Sequence, residues 1–130
     1  MVDLIETFTD NDSICYLMEY LPGNDLLWVL SNEMHLDLGK TKDKSWVKFY
    51  MAEVMYAITS LHAQNIIYRD IKPENIVVAA DGHIKLVDFG FAKILGKSKS
   101  TGQYRTFTNC GTIGYTAPEV IFNGGQGFSF

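Results

Sequence analysis

Tyr68-Arg69-Asp70-Ile71-Lys72-Pro73-Glu74-Asn75 is followed, across a short apolar segment, by Asp88-Phe89-Gly90. Between the two, Ile76 to Ala79 and His83 to Val87 are apolar runs rich in β-branched residues, and they flank Ala80-Asp81-Gly82. An Asp-Gly pair in that position signals a tight hairpin, because Gly accepts the positive φ such a turn demands. A two-strand hairpin returns the chain to the edge it left. Asp70, before it, and Asp88, after it, can therefore converge on one cleft. Asn75 adds a hard carbonyl oxygen five residues after Asp70, and Lys72 a cation two residues after it.

Outward from this stretch the chain reads as alternating short elements. Val2 to Phe8 alternates apolar and polar residues like a half-buried strand, Thr9-Asp10-Asn11-Asp12 is a turn cluster, and Ser13 to Met18 is a second strand. Leu21-Pro22-Gly23-Asn24 breaks the pattern, and Asp25 can cap a short helix reaching Trp28 or Leu30. Ser31 to Lys44 reads as a loop. A long helix follows from Ser45, with Trp46, Tyr50, Val54, Ile58 and Leu61 near helical spacing; Met51 and Met55 are read with Trp46 and Tyr50 as core packing. From Asp88 to Ala117 the chain is rich in Gly, Ser, Thr and Lys, and a stretch of that length inside a compact domain is usually functional.

The composition sets bounds. The chain has 130 residues, enough for one domain with a core and too few for two. Its 47% hydrophobic and 20% charged residues argue against disorder, and a net charge of −4 gives no basic footprint for nucleic acid. No apolar run approaches the roughly 18 residues of a membrane span. The opening Met1-Val2-Asp3-Leu4-Ile5-Glu6 lacks the basic region of a signal peptide, so a cytoplasmic location is expected. Cys15 and Cys110 read as reduced thiols, Asn11-Asp12-Ser13 as a turn, and His35, His62 and His83 as isolated from any metal set. Gly96-Lys97-Ser98 resembles the end of a P-loop, but the position five before Gly96 is Phe91, so that reading fails.

Two carboxylates flanking a hairpin suit phosphoryl transfer, which is catalysed mainly by positioning and charge neutralisation. One can face an attacking hydroxyl while the other holds Mg²⁺ against nucleotide phosphates. With Ala117-Pro118-Glu119 third in order, the three motifs resemble the catalytic loop, metal loop and activation-segment end of protein kinases. The resemblance implies an α+β, protein-kinase-like fold: the end of the small lobe over residues 1–20, then part of the helical large lobe over residues 21–130. It implies a serine/threonine kinase that uses ATP and Mg²⁺. Tyr68, Asp88 to Lys93, and the frame Thr106-Phe107-Thr108-Asn109-Cys110-Gly111-Thr112 are similar to the AGC group, especially its cyclic-nucleotide-dependent members.

By that resemblance Asp70 orients and deprotonates the substrate hydroxyl, Lys72 neutralises charge on the transferring group, and Thr112 bonds both. Asn75 and Asp88 are the metal ligands. Met18 falls at the gatekeeper position, the backbones of Glu19 and Leu21 pair with adenine, and Val77 packs beneath it. Asp25 and Glu74 contact the ribose and basic residues ahead of the target Ser or Thr, although Asp25 reads equally well as a helix cap. Thr108 is the expected regulatory phosphosite, pairing with Arg69 and Lys93, with Thr106 and Thr112 as alternatives. Leu4, Tyr68 and Phe89 match a stacked apolar spine.

Three departures qualify the resemblance. Gly96 to Gln103 reads as an insertion with a mobile tip. Ile113-Gly114 stands where Pro-Glu is expected before Tyr115, which bears on the pocket for the residue after the target. No Gly-rich phosphate loop, strand lysine or helix-borne glutamate precedes the first strand, and no anchoring helix follows. The isolated chain is therefore expected to have little activity, the alternative being a kinase-derived binding or regulatory module.

Overall fold

A computed structural model describes residues 1–35, 45–97, 106 and 108–122; of residues 33–35 it describes the backbone only. The chain runs β1 (Leu4–Asp10), β2 (Ser13–Met18), α1 (Leu26–His35), α2 (Ser45–His62), β3 (Ile66–Ile67), a 3-10 turn (Pro73–Asn75), β4 (Ile76–Val78), β5 (Ile84–Leu86), β6 (Lys93–Ile94) and α3 (Pro118–Phe122). The strands pair antiparallel as β1 with β2, β3 with β6 and β4 with β5. Mixed helix and strand content fits the expected partial kinase-like fold.

β1 and β2 close through Asn11-Asp12, with Asp10 opposite Ser13 and Asn11 at φ 49°. Asn tolerates that left-handed geometry because its short amide can bond locally. α1 starts where Asp25 Oδ1 accepts the Trp28 N–H at 2.8 Å, the N-cap arrangement. The helix continues to His35, past the short helix the sequence implied. Residues 31–35 are thus helical, and the rest of the expected Ser31–Lys44 loop lies outside the described residues.

α2 buries Val54 and Leu61, with Tyr50, Ala57 and Ile58 packed against the same core. The core joins Leu26, Val54, Leu61, Tyr68, Ile76, Ile84 and Leu86, so one helix seam closes over the hairpin between the two Asp loops. Met51 and Met55 do not belong to it. They are 53% and 62% exposed, because they fall on the face of α2 away from the Val54–Leu61 seam. α2 ends at His62, and the turn after it closes at Asn65, whose φ is 60° and whose N–H returns to His62 O at 2.9 Å.

Two further devices place the central hairpin. Gly23 passes so close to β4 that a Cβ there would lie 1.8 Å from Val78 O. The neighbouring Asn24 O accepts the Val78 N–H at 3.0 Å, and Asp25 bridges to Val77. On the other side, Glu53 of α2 grips the hairpin turn: Oε2 accepts the Ile84 N–H at 2.8 Å and Oε1 pairs with His83 Nδ1. The hydrogen bond to Glu53, then its charge, raises the His83 pKa above the ordinary 6.5. A group raised on folding stabilises fully below its unfolded value, and that contribution fades as pH climbs through the folded value. Urea midpoints are thus expected to fall from about pH 6 to about pH 8.5 in the parent, and to fall less in His83→Asn. Equal slopes for the two proteins would contradict the assignment.

Candidate active site

The loop between β3 and the 3-10 turn carries Asp70, and its carboxylate is almost completely covered, at 3% residue exposure. Both oxygens have partners, Oδ1 a single one. Oδ1 accepts the Thr112 hydroxyl at 2.6 Å, and Oδ2 accepts Asn75 Nδ2 at 2.9 Å and lies 3.0 Å from Lys72 Nζ. Lys72 Nζ also donates to Thr112 Oγ1 at 2.8 Å. Asp70, Lys72, Asn75 and Thr112 therefore form one closed set, drawn from segments up to 42 residues apart. Burial pushes the Asp70 pKa up, but the bonds from Thr112, Lys72 and Asn75 together outweigh it and hold the carboxyl below its usual value. Asp70 stays ionised at neutral pH. Lys72 is shifted up, first by its bond to Asp70 and further by the charges of Glu74 and Asp88.

The hairpin that follows is stitched to this loop at its far end. Asn75 O accepts the Val87 N–H at 3.0 Å, and the Tyr68 hydroxyl donates to Val87 O. Asp88 therefore leaves β5 next to the loop that holds Asp70. The phenol of Tyr68 is shifted strongly up, first by burial and then by the charges of Asp88 and Asp70 together. The charges of Asp70 and Asp88 both contribute to the upward shifts of Tyr68 and Lys72.

Arg69 and Asp88 each have positive φ, 70° and 54°. Such geometry costs a non-glycine residue about 1 kcal/mol or more and persists where surrounding bonds enforce it. Here Arg69 Nε donates to Phe91 O at 2.6 Å, and Asp88 Oδ1 accepts the Gly90 N–H at 3.0 Å.

Within the described residues the donor set for a metal is incomplete. Among the described residues no group of three or more His, Cys, Asp or Glu could hold an ion. Asp88 is exposed, and Asn75 uses its amide N–H groups on Asp70, which leaves its carbonyl oxygen as the group of ligand type. One carboxylate and one amide oxygen fit Mg²⁺, which takes its remaining ligands from water and phosphate.

A cleft of about 530 Å³ opens beside Asp88, lined by Val2, Leu4, Tyr16, Met18, Phe89 and Gly90. Met18 and Asp88 thus face one space, and so do Leu4 and Phe89, whose ring stands edge-on to Tyr68 at 5.3 Å. Glu19, Leu21, Asp25, Glu74 and Val77 do not line it. Glu19 donates its N–H to Asp3 O at 3.0 Å, Asp25 caps α1, and Val77 lies in β4 opposite Lys85. Among the described residues Glu74 Oε2 is buried and has no hydrogen-bond partner.

Among the described residues after β6, the hydroxyl that meets the two cations belongs to Thr106. It is 1% exposed, accepts Lys93 Nζ at 3.1 Å and lies 3.5 Å from Arg69 Nη1. Thr108 is exposed and lines a groove with Arg69, Thr106 and Cys110. The sequence singled out Thr108 and treated Thr106 as an alternative, since spacing alone cannot rank two threonines two residues apart. Apart from Gly96 and Lys97, the Gly96–Gln103 segment lies outside the described residues. Ile113 projects at 97% exposure from the turn that Thr112 anchors.

A buried, ionised Asp coupled to a Lys and an Asn, with a second Asp on the next loop, is an arrangement able to serve phosphoryl transfer. The chain belongs to the protein kinase family: the protein kinase domain matches residues 1–129. It is 45% identical over 127 residues to the cAMP-dependent protein kinase catalytic subunit PRKX of Homo sapiens, covering 98% of this chain and 32% of that protein. It is 45% identical over 129 residues to cGMP-dependent protein kinase 2 of Mus musculus, covering 99% of this chain and 16% of that protein. With the cAMP-dependent protein kinase catalytic subunit of Dictyostelium discoideum, identity is 42% over 127 residues, covering 98% and 18%. These relatives are AGC serine/threonine kinases, the group to which Tyr68 and the Thr106–Thr112 frame pointed. The chain spans less than half the length of each. No helix among the described residues is long and apolar enough to cross a membrane.

Proposed function

We propose that the protein is an ATP-dependent serine/threonine kinase that transfers the γ-phosphoryl group of Mg-ATP to a Ser or Thr hydroxyl preceded by basic residues. The observation that carries this reading is the closed set around Asp70, which keeps an ionised carboxylate fixed and dry beside the metal loop. Asp70 accepts the hydrogen bond of the incoming hydroxyl and takes its proton as the new P–O bond forms and the bond from the γ-phosphorus to the ADP oxygen breaks, ADP leaving with that electron pair. Its lowered pKa makes it a weak base in the ground state, so its first contribution is orientation. Lys72 offsets negative charge on the transferring group, and Thr112 keeps Asp70 and Lys72 in register. Asp88 and Asn75 would hold Mg²⁺, which neutralises phosphate charge when bound. The buried, unpartnered oxygen of Glu74 favours a cationic substrate residue, because an unmet buried carboxylate oxygen is costly.

Thr112→Ala removes one bond to Asp70 and one from Lys72 and is expected to lower kcat by about 10- to 100-fold, with Thr112→Ser near the parent. Equal activity of the Ala variant would exclude a role for the hydroxyl. The function itself is tested with the full-length protein, labelled Mg-ATP and paired Ser peptides carrying basic or acidic residues ahead of the target. Transfer to the basic peptide is expected, together with a loss of Mg-dependent nucleotide affinity of about tenfold or more in Asp88→Asn. A protein that binds Mg-ATP yet phosphorylates neither peptide would overturn the proposal.

A further inference from the structure

Lys85 stands in the middle of β5, between Ile84 and Leu86, which are both buried in the core. Side chains alternate along a strand, so Lys85 faces the opposite side, which it shares with its register partner Val77. There it meets the open end of the first hairpin. Its Nζ pairs with Glu19 Oε1 and lies 3.5 Å from Asp3 Oδ2. The same Glu19 oxygen accepts the Asp3 N–H at 2.8 Å, and the Glu19 N–H donates to Asp3 O at 3.0 Å. One residue earlier, the Val2 N–H reaches Leu86 O at 2.9 Å. A single lysine therefore ties together the segment entering β1, the segment leaving β2 and the strand that ends just before Asp88.

We propose that Asp3, Glu19 and Lys85 form an ionic clasp that positions the nucleotide, holding the segment whose backbone faces adenine in register with the loop that carries Asp88. The proposal rests on the phosphotransfer reading above and on the kinase resemblance, which implies that the backbones of Glu19 and Leu21 pair with adenine. Two observations favour it. Among the described residues β1 and β2 are exposed along almost their whole length, and the bonds named above join their open end to β5. The Lys85 and Glu19 side chains are about three-quarters covered, at 26% and 25% exposure, and are less screened than an open surface pair. Both stay charged at neutral pH: the bond to Glu19 raises the Lys85 pKa, and the bond from Lys85 lowers that of Glu19. A pair of this kind contributes chiefly geometry, because charge-assisted bonds are short and directional. Asp3, Glu19 and Lys85 are positioning residues, since none of them is assigned a side-chain contact with the reacting atoms.

The test compares Lys85→Met and Lys85→Arg in the full-length protein by steady-state kinetics and amide hydrogen exchange. Lys85→Met is expected to raise KM for ATP about fivefold or more with kcat within about twofold, and Lys85→Arg to stay within about twofold in both. The Val2 and Glu19 amides are expected to exchange about tenfold faster in Lys85→Met, while those of Val54 and Leu61 keep their rates. Unchanged KM overturns the positioning role, whatever the exchange shows. So does faster exchange at Val54 and Leu61, which marks a general loss of fold. If the parent transfers no phosphate, the phosphotransfer reading fails by itself, and the clasp is then judged on the exchange rates, where equal Val2 and Glu19 rates refute it.

Discussion

Asp70→Asn is expected to lower kcat for phosphoryl transfer by about a thousandfold, with nucleotide affinity within about threefold of the parent. The substitution keeps the size of the side chain but exchanges one acceptor for an NH₂ donor. Turned toward Oδ2, that donor meets the donors Asn75 Nδ2 and Lys72 Nζ; turned toward Oδ1, it makes the Thr112 hydroxyl accept instead of donate. The variant therefore loses the charge proposed to orient the substrate hydroxyl and rearranges the set around it. Activity within tenfold of the parent would remove Asp70 from the reaction. Loss of nucleotide affinity in parallel would instead assign it a binding role.

Gly23→Ala is expected to destabilise the protein by about 3 kcal/mol or more, measured as a shift in urea midpoint at constant slope. The added Cβ would fall 1.8 Å from Val78 O, and a backbone carbonyl cannot swing aside as a side chain can. Either β4 withdraws, breaking the bond between Asn24 O and the Val78 N–H and the Asp25–Val77 bridge, or the segment before α1 moves out. Gly82→Ala is the control. No atom lies within 4 Å of its Cβ position, so its positive φ of 85° alone costs about 1 kcal/mol. Equal midpoints for the two variants would show that the close approach at Gly23 carries no weight.

Much of this was legible from the chain alone where a local pattern and a tertiary demand coincide. The β4–β5 hairpin follows from Asp81-Gly82 between β-branched runs, and α2 from the spacing of Tyr50, Val54, Ile58 and Leu61. The β1–β2 pair follows from alternation and the Asn11-Asp12 turn. What escaped was set by partners distant in sequence. β3 and β6 are two-residue strands that exist because Ile66 meets Ile94, and nothing local marks either one. Met51 and Met55 look like core residues by type, but the helix is rotated so that Val54 and Leu61 face inward. At the site, the residues Asp70, Lys72, Asn75 and Thr112 could be named from the motifs. The burial of Thr106 between Lys93 and Arg69 and the Lys85 clasp could not, because both depend on side-chain directions that spacing does not encode.

The torsional cost held at Arg69 and Asp88 bears on how this protein can be improved in the laboratory. A selection that rewards heat tolerance alone would favour glycine or asparagine at position 88, where either residue relieves an unfavourable backbone at no packing penalty. Every such gain would discard the carboxylate that the proposed function assigns to Mg²⁺, so under that reading hardier descendants would transfer phosphate more slowly. Ruggedness and turnover are set against each other at one α-carbon, and a screen for this chain has to score both.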